Sequence, residues 1–235
     1  MKAGIIAAGK GSRLAQGGIS IPKPLLQVGG QTLVGWALNE AAGAGAQRAA
    51  LITTPIFPEV GAYIQDHSWP LPVDLVVWDS PNSLESLFAL APYLDSQFLL
   101  LTVDAIFAPG ALNRFVGQAQ IAPALGALGV TTFQEDESPL YVQIEPEGRV
   151  IAVGQPHFSP YITAGCYYFH PEVFTWQSRA RTLGLRALRQ FLALLAKDGY
   201  PLVGIDVGPA VDLDRPADIA RAEQLLKTGK LLCPH

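Results

Sequence analysis

The chain has 235 residues, 49% of them hydrophobic and 15% charged, with a formal net charge of -4. That length and apolar content allow a substantial core in one domain or at most two, which excludes disorder; the 23 Gly and 19 Pro are scattered between apolar runs, which excludes collagen-like and linker compositions. Mild acidity argues against nucleic acid or a membrane surface as partner, because both select basic proteins, and no apolar run reaches the roughly 20 residues needed to span a bilayer.

Along the chain, short apolar runs alternate with segments at helical spacing. Strands are predicted at Lys2 to Ala8, Arg48 to Thr53, Val73 to Trp78, Phe98 to Val103 and Ala124 to Thr131. Their near-continuous Ile, Leu and Val content is that of strands covered on both faces, as in a parallel sheet. Helices are predicted at Thr32 to Ala44, Pro58 to Asp66, Ser83 to Leu94, Gly110 to Ala119, Leu185 to Lys197 and Pro216 to Leu226. In the fifth, Leu185, Leu188, Leu192 and Leu195 make one apolar stripe, with Arg186 and Arg189 off it. From about residue 135 the texture changes. An acidic turn at Glu135 to Glu137, an alternating stretch Tyr141 to Glu145, a Glu147-Gly148 turn and the run Thr163 to Phe169 read as shorter strands joined by hairpins. The expected fold class is therefore α/β, a doubly wound, mostly parallel Rossmann-like sheet with a small mixed-sheet insertion. Ligands of such sheets bind beyond the carboxyl ends of the strands.

Cys166 and Cys233 form neither a disulfide framework nor a metal-ligand spacing, and the apolar stretch after Lys2 is interrupted by Gly9 and Lys10. A soluble cytoplasmic protein is expected. His67, His157, His170 and His235 read as surface or loop residues.

The cations are unevenly placed. Lys2, Lys10, Arg13 and Lys23 fall in the first 23 residues, whereas residues 24 to 178 hold only Arg48, Arg114 and Arg149. They surround Ala7-Ala8-Gly9-Lys10-Gly11-Ser12-Arg13-Leu14, directly after the first strand, and Pro22-Lys23-Pro24-Leu25 follows. Glycines in such a turn leave backbone N–H groups free to converge on phosphate oxygens. A dehydrogenase-type fingerprint would place a third glycine at Leu14, and a Walker A loop would space its lysine differently.

Gly-x-Gly-x-Arg, then Pro-Lys-Pro-Leu with Lys23 ten residues after Arg13, then Val28-Gly29-Gly30, resembles the signature of the sugar-phosphate nucleotidylyltransferases, the NDP-sugar pyrophosphorylase family. The resemblance implies the nucleotide-diphospho-sugar transferase fold as a single domain. Residues of about 1–134 and 200–235 would form the nucleotide-binding core, and about 135–199 the acceptor-binding part. It implies transfer of a nucleotidyl group from an NTP to a phosphorylated acceptor, a sugar phosphate or small alcohol phosphate, with release of pyrophosphate. Ala7, Ala8, Gly9 and Gly11 would surround base and phosphates, Arg13 would hold the leaving phosphates, and Lys23 would sit beside the α-phosphate. Asn82 and Ser83 stand where family members approach the nucleoside, although Asn82 and Glu85 also have the spacing of a capping box. Asp104, after the run Phe98 to Val103, and Asp212 in Val211-Asp212-Leu213-Asp214-Arg215-Pro216 would hold Mg2+. Asp214 is expected to cap the helix entered through Pro216.

The acceptor region departs from the family pattern. Gly154-Gln155-Pro156 replaces the usual Glu-Lys-Pro, and Thr163-Ala164-Gly165 replaces Asn-x-Gly, leaving Thr163 and Gly165 as the expected acceptor contacts. The alternatives are a non-catalytic nucleotide- or sugar-phosphate-binding protein of the same fold, and a molybdenum-cofactor-type nucleotidyltransferase. A homo-oligomer is compatible with the sequence.

Overall fold

A computed structural model of the chain describes residues 1–9, 11–133, 139–154 and 159–231. Lys10, the expected turn Glu135 to Glu137, Gln155-Pro156, His157, Cys233 and His235 lie outside the described residues. In chain order the elements are β1 (Lys2–Ile6), α1 (Ser12–Gln16), β2 (Gln27–Val28), β3 (Gln31–Thr32), α2 (Leu33–Gly43), β4 (Ala49–Thr53), α3 (Pro58–Asp66), β5 (Val73–Val77), α4 (Ser83–Leu90), β6 (Phe98–Thr102) and β7 (Ala105–Phe107). They continue with α5 (Ala111–Ile121), β8 (Gly126–Thr131), β9 (Tyr141–Ile144), β10 (Val150–Gly154), β11 (Ile162–Phe169), α6 (Gln177–Thr182), α7 (Leu188–Lys197), β12 (Leu202–Asp206), β13 (Ala210–Asp212) and α8 (Pro216–Thr228).

β1 lies between β4 and β6, parallel to both, and β5 extends the sheet beyond β4. β11 enters antiparallel between β6 and β8, and β12 pairs parallel with β8. The β9–β10 hairpin joins at the Ile162–Tyr141 pairing. The result is the expected α/β sheet, mostly parallel with a mixed extension.

Period-2 alternation assigns each strand residue to a layer. From β6, Leu99 and Leu101 face the layer closed by α2, α3, α5 and α8, while Phe98 and Leu100 face the one closed by α4 and α7. β1, β4, β6 and β8 are buried on both faces, which is why they read as unbroken apolar runs rather than alternating ones, whereas the edge strand β5 is only partly covered.

Two helix boundaries, the end of α4 and the start of α7, differ from the sequence reading by three residues or more, each for a local reason, and α1 and α6 are helices it did not predict. α4 ends at Leu90 and gives way to a 3-10 turn, Ala91–Tyr93, because Pro92 supplies no N–H for a continuing α-helix. α7 begins at Leu188 rather than Leu185: the Gln190 Oε1 atom accepts hydrogen bonds from the Arg186 and Ala187 amides, 2.8 and 3.0 Å, and starts the helix there.

At Gly165 the β11 register shifts between Thr163 and Tyr167. Its φ of +80° is strained for residues with a Cβ, and a Cβ there would lie 2.7 Å from Thr102 Oγ1. The bulge lets β11 pair with β6 over residues 166–169 and diverge from it just where β6 ends. Divergence at the carboxyl end of β6 opens the space in which the candidate site forms.

Candidate nucleotidyl-transfer site

Four segments converge at the carboxyl ends of β1 and β6. The first is the glycine turn. α1 buries only Leu14, which anchors the turn to the core and leaves Arg13 on the solvent side. Gly11 has φ +59°, and a Cβ on it would lie 3.2 Å from Lys23 Cβ, so the turn packs directly on the second segment. That segment is the single 3-10 turn Lys23–Leu25, with Pro22 before it and Pro24 within it. The prolines restrict the backbone that carries Lys23.

Asp104 follows β6, and Asp212 ends β13. These two carboxylates meet because β7 and β13, three residues each, pair antiparallel with Asp212 opposite Ala105, and because the Leu213 amide donates to the Asp104 carbonyl at 3.0 Å. One carboxylate oxygen from each of Asp104, Asp212 and Asp214 lies within 4.8 Å of the other two. Hard oxygen donors clustered in this way suit a divalent cation such as Mg2+.

Lys23 is 7% exposed, and its Nζ donates to Asp104 Oδ2 at 2.7 Å and to Asp214 Oδ1 at 2.9 Å. The other Asp214 oxygen takes the Arg13 guanidinium. Burial works against the lysine charge, but the fields of Asp104 and Asp212 and the hydrogen bonds to Asp104 and Asp214 outweigh it, so the pKa rises above the ordinary 10.5. Burial likewise opposes the Asp104 carboxylate, and Lys23 holds that carboxyl below its ordinary 3.8. Lys23 and Asp104 therefore each hold the other in its charged form.

Asp214 does not cap α8 as the sequence reading expects. Asp218 Oδ2 accepts from the Asp214 and Arg215 amides, 3.0 and 2.7 Å, and makes the cap. The Asp214 side chain is thereby released toward Lys23 and Arg13. Both aspartates have suitable cap chemistry, and their choice of partners depends on which cations the fold brings near.

Asn82 does act as a cap, its Oδ1 accepting from the Leu84 and Glu85 amides at 3.1 and 3.0 Å. Glu85 does not complete a capping box; it pairs with Arg181 of α6. The Ser83 hydroxyl accepts from the Leu188 amide at 3.1 Å and ties α4 to α7.

A cavity of about 440 Å3 extends from the carboxylates between β8, β11, α7 and α8. Ser83, Thr163, Gly165, Asp104 and Asp212, all singled out from the sequence, line it, whereas Ala7, Ala8, Gly9, Gly11 and Asn82 do not. Arg13 and Lys23 reach its edge through Asp104 and Asp214. Tyr167, Asp214, Arg189, Arg215 and Arg221 also line it and had no role in the sequence reading of the site. Burial pushes the Tyr167 hydroxyl above its ordinary pKa, so it stays protonated. His67 lies against Tyr63 and His170 against Gln97; neither lines the cavity.

Comparison with known proteins identifies the family and the fold. Residues 3–198 match the family model described as the MobA-like NTP transferase domain. CMP-5'-(3-aminopropyl)phosphonate synthase of Streptomyces rubellomurinus is 31% identical over 117 residues, which is 48% of this chain and only 19% of that relative's length. Among solved structures, the inositol-1-phosphate CTP transferase from T. maritima superposes with a TM-score of 0.81 at 21% identity, covering 99% of this chain and 98% of its own. A putative glucose-1-phosphate thymidylyltransferase from Bacillus anthracis gives 0.81 at 18% identity, covering 97% and 96%. At those identities the two structures establish the fold, the nucleotide-diphospho-sugar transferase fold. With the family model spanning most of its length, the chain belongs to the MobA-like NTP transferase domain family and carries a nucleotidyltransferase domain.

Proposed function

We propose that this protein is a Mg2+-dependent nucleotidyltransferase that joins an NTP to a phosphorylated small-molecule acceptor and releases pyrophosphate. The observation that carries this reading is the buried Lys23 ammonium held between Asp104 and Asp214, with Arg13 on the remaining Asp214 oxygen, at the carboxyl end of β6.

In the reaction an oxygen of the acceptor's phosphate attacks the α-phosphorus of the NTP. A new P–O bond forms there, and the bond to the bridging oxygen breaks, which carries its electron pair away on pyrophosphate. A phosphate monoester, with a second pKa of about 6, is already mostly dianionic at neutral pH and needs no general base. The obstacle is repulsion between two anions, and preorganised cations relieve it. Lys23, restricted by its prolines and ion pairs, stabilises charge at the α-phosphate. Arg13, on the exposed face of α1, binds the leaving phosphates. Ala7, Ala8, Gly9 and Gly11 surround the base and phosphates, and Asn82 and Ser83 border the nucleoside. Thr163 and Gly165 face the acceptor.

Asp104 and Asp212 would hold the magnesium, which when bound neutralises charge on the phosphates. Asp214 orients Lys23 and Arg13. The chain works as one domain, with 1–134 and 200–235 serving the nucleotide and 135–199 the acceptor. We assign it to the cytoplasm, where the buried free thiol of Cys166 stays reduced. The described residues include no helix long and apolar enough to cross a membrane.

The test is pyrophosphate release from each of the four NTPs with a panel of sugar, polyol, choline and inositol phosphates and phosphonates, with magnesium and with chelator. At least one pair should react only with the metal. No release from any pair, while an NTP still raises the melting temperature, would identify a binding protein instead.

A further inference from the structure

The large sheet is shielded at one end and open at the other. At the shielded end the Arg149–Val203 bridge and the Gly204 amide, which donates to the Gly148 carbonyl at 2.9 Å, tie the β9–β10 hairpin to β12, and the β10 register shifts between Val150 and Ala152. Bulges and covering segments of this kind keep sheet edges from pairing with other chains. β5 has neither. Among the described residues it pairs with β4 alone, in an unbroken register from Val73 to Val77. The strand holds no Pro, Gly or Lys, and its one charged side chain, Asp74, is engaged by the Arg48 guanidinium.

The ladder fixes which backbone groups of β5 point away from β4. The Ala49 amide donates to the Pro72 carbonyl and the Trp78 amide donates to the Thr53 carbonyl, both at 2.9 Å. Alternate residues of a strand bond to the same neighbour, so Asp74 and Val76 also face β4, and the N–H and C=O groups of Val73, Leu75 and Val77 point outward. These three residues are centred on Leu75. A two-fold axis there sets Leu75 against its own copy and Val73 against the partner's Val77, all as hydrogen-bonded antiparallel pairs, and uses every outward N–H and C=O once. The same register puts Asp74 opposite the partner's Val76, so the two acidic side chains do not oppose each other. Val77 and Trp78, 53% and 41% exposed, come opposite the partner's Val73 and the partner's Pro72 and gain apolar neighbours.

Backbone symmetry and the placement of charge thus fit a second copy of this chain. We propose that the protein self-associates through β5, antiparallel about a two-fold axis at Leu75, so that two copies form one continuous sheet. β4 separates β5 from β1, and antiparallel pairing turns the second sheet end for end, so the two candidate sites open at opposite ends and neither is covered. One strand edge with its flanking residues is a small interface, and the association is expected to be weak, in the micromolar range or above.

Sedimentation of the whole chain from about 1 μM to about 1 mM, the span of weak affinities, should show a monomer–dimer equilibrium, and a monomer throughout overturns the proposal. Val77→Pro removes one outward N–H while the bonds to β4 remain, and it should weaken dimerisation tenfold or more with an unchanged circular dichroism spectrum. Dimerisation of wild-type strength in this variant overturns the proposal. Two further measurements hold even if that variant fails to fold. In the wild-type chain the Leu75 and Val77 amides should exchange with solvent more slowly at high protein concentration than at low, and exchange independent of concentration counts against pairing at β5. Leu75→Cys should cross-link to its own copy on mild oxidation where the wild-type chain does not, because the Cα atoms of a hydrogen-bonded antiparallel pair lie about 5.5 Å apart, within reach of a disulfide. A reduced Leu75→Cys dimer that forms no cross-link on oxidation overturns the axis at Leu75.

Discussion

Replacing Lys23 by Ala separates structure from chemistry at the site. The substitution removes a 7%-exposed ammonium hydrogen-bonded to two carboxylates and leaves one carboxylate oxygen from each of Asp104, Asp212 and Asp214 within 4.8 Å of the other two. Breaking a fully buried ion pair costs about 3–5 kcal/mol. Here Asp104 and Asp214 are 26% and 33% exposed, so water screens part of the uncompensated charge, and about 1–2 kcal/mol is expected. For a chain of this size that lowers the melting temperature by about 2–8 °C. The vacated carboxylates should bind magnesium more tightly, because Lys23 no longer competes for Asp104. A tenfold gain adds about 1.4 kcal/mol of stabilisation at saturating metal. Turnover should fall by at least 10²–10³, the usual loss for one preorganised charge-stabilising group. Thermal unfolding with and without magnesium, together with pyrophosphate release, reads all three effects. Near wild-type turnover would refute the role given to Lys23, and an unchanged melting temperature with no added response to magnesium would refute the ion-pair account.

Three further outcomes are expected. Asp218→Ala should cost about 1 kcal/mol in denaturant unfolding through loss of the α8 cap, whereas Asp214→Asn should act mainly on turnover; the reverse pattern would return the cap to Asp214. Glu85 has its pKa lowered, chiefly by the Arg181 hydrogen bonds, so its contribution is present above the unfolded value near 4.5 and is lost as pH falls through the folded one. Glu85→Gln should then cost about 0.5–1 kcal/mol at pH 7, with the melting-temperature gap closing toward pH 3; a constant gap would contradict the linkage. Gly165→Ala combines a left-handed backbone with a Cβ 2.7 Å from Thr102 Oγ1 and should destabilise the chain by about 2–4 kcal/mol, measurable as a lower denaturant midpoint.

Much of the fold is legible in the sequence because its signals are local. The five apolar runs became β1, β4, β5, β6 and β8, and the Leu188, Leu192 and Leu195 stripe packs one face of the sheet. Strands β7 and β13 were not legible. Three residues carry no usable periodicity, and their pairing joins positions about a hundred residues apart in sequence. Gly165 stood out in the sequence, but the bulge that makes it necessary is a property of three neighbouring strands.

For the site, the sequence by itself singled out Arg13, Lys23, Asp104 and Asp212, through a glycine turn, a proline-flanked lysine and two acidic segments with recognisable spacing. Tertiary structure decided their relations. It gave Asp214 to the cations and Asp218 to the helix, placed Lys23 between carboxylates from two distant loops, and lined the cavity with Arg189, Arg215 and Arg221. The physical reason is range. Strand and helix signals, like turn chemistry, act over a few residues and leave a pattern in the chain, whereas an ion pair or a cavity wall is chosen among all the groups that packing brings within a few ångströms.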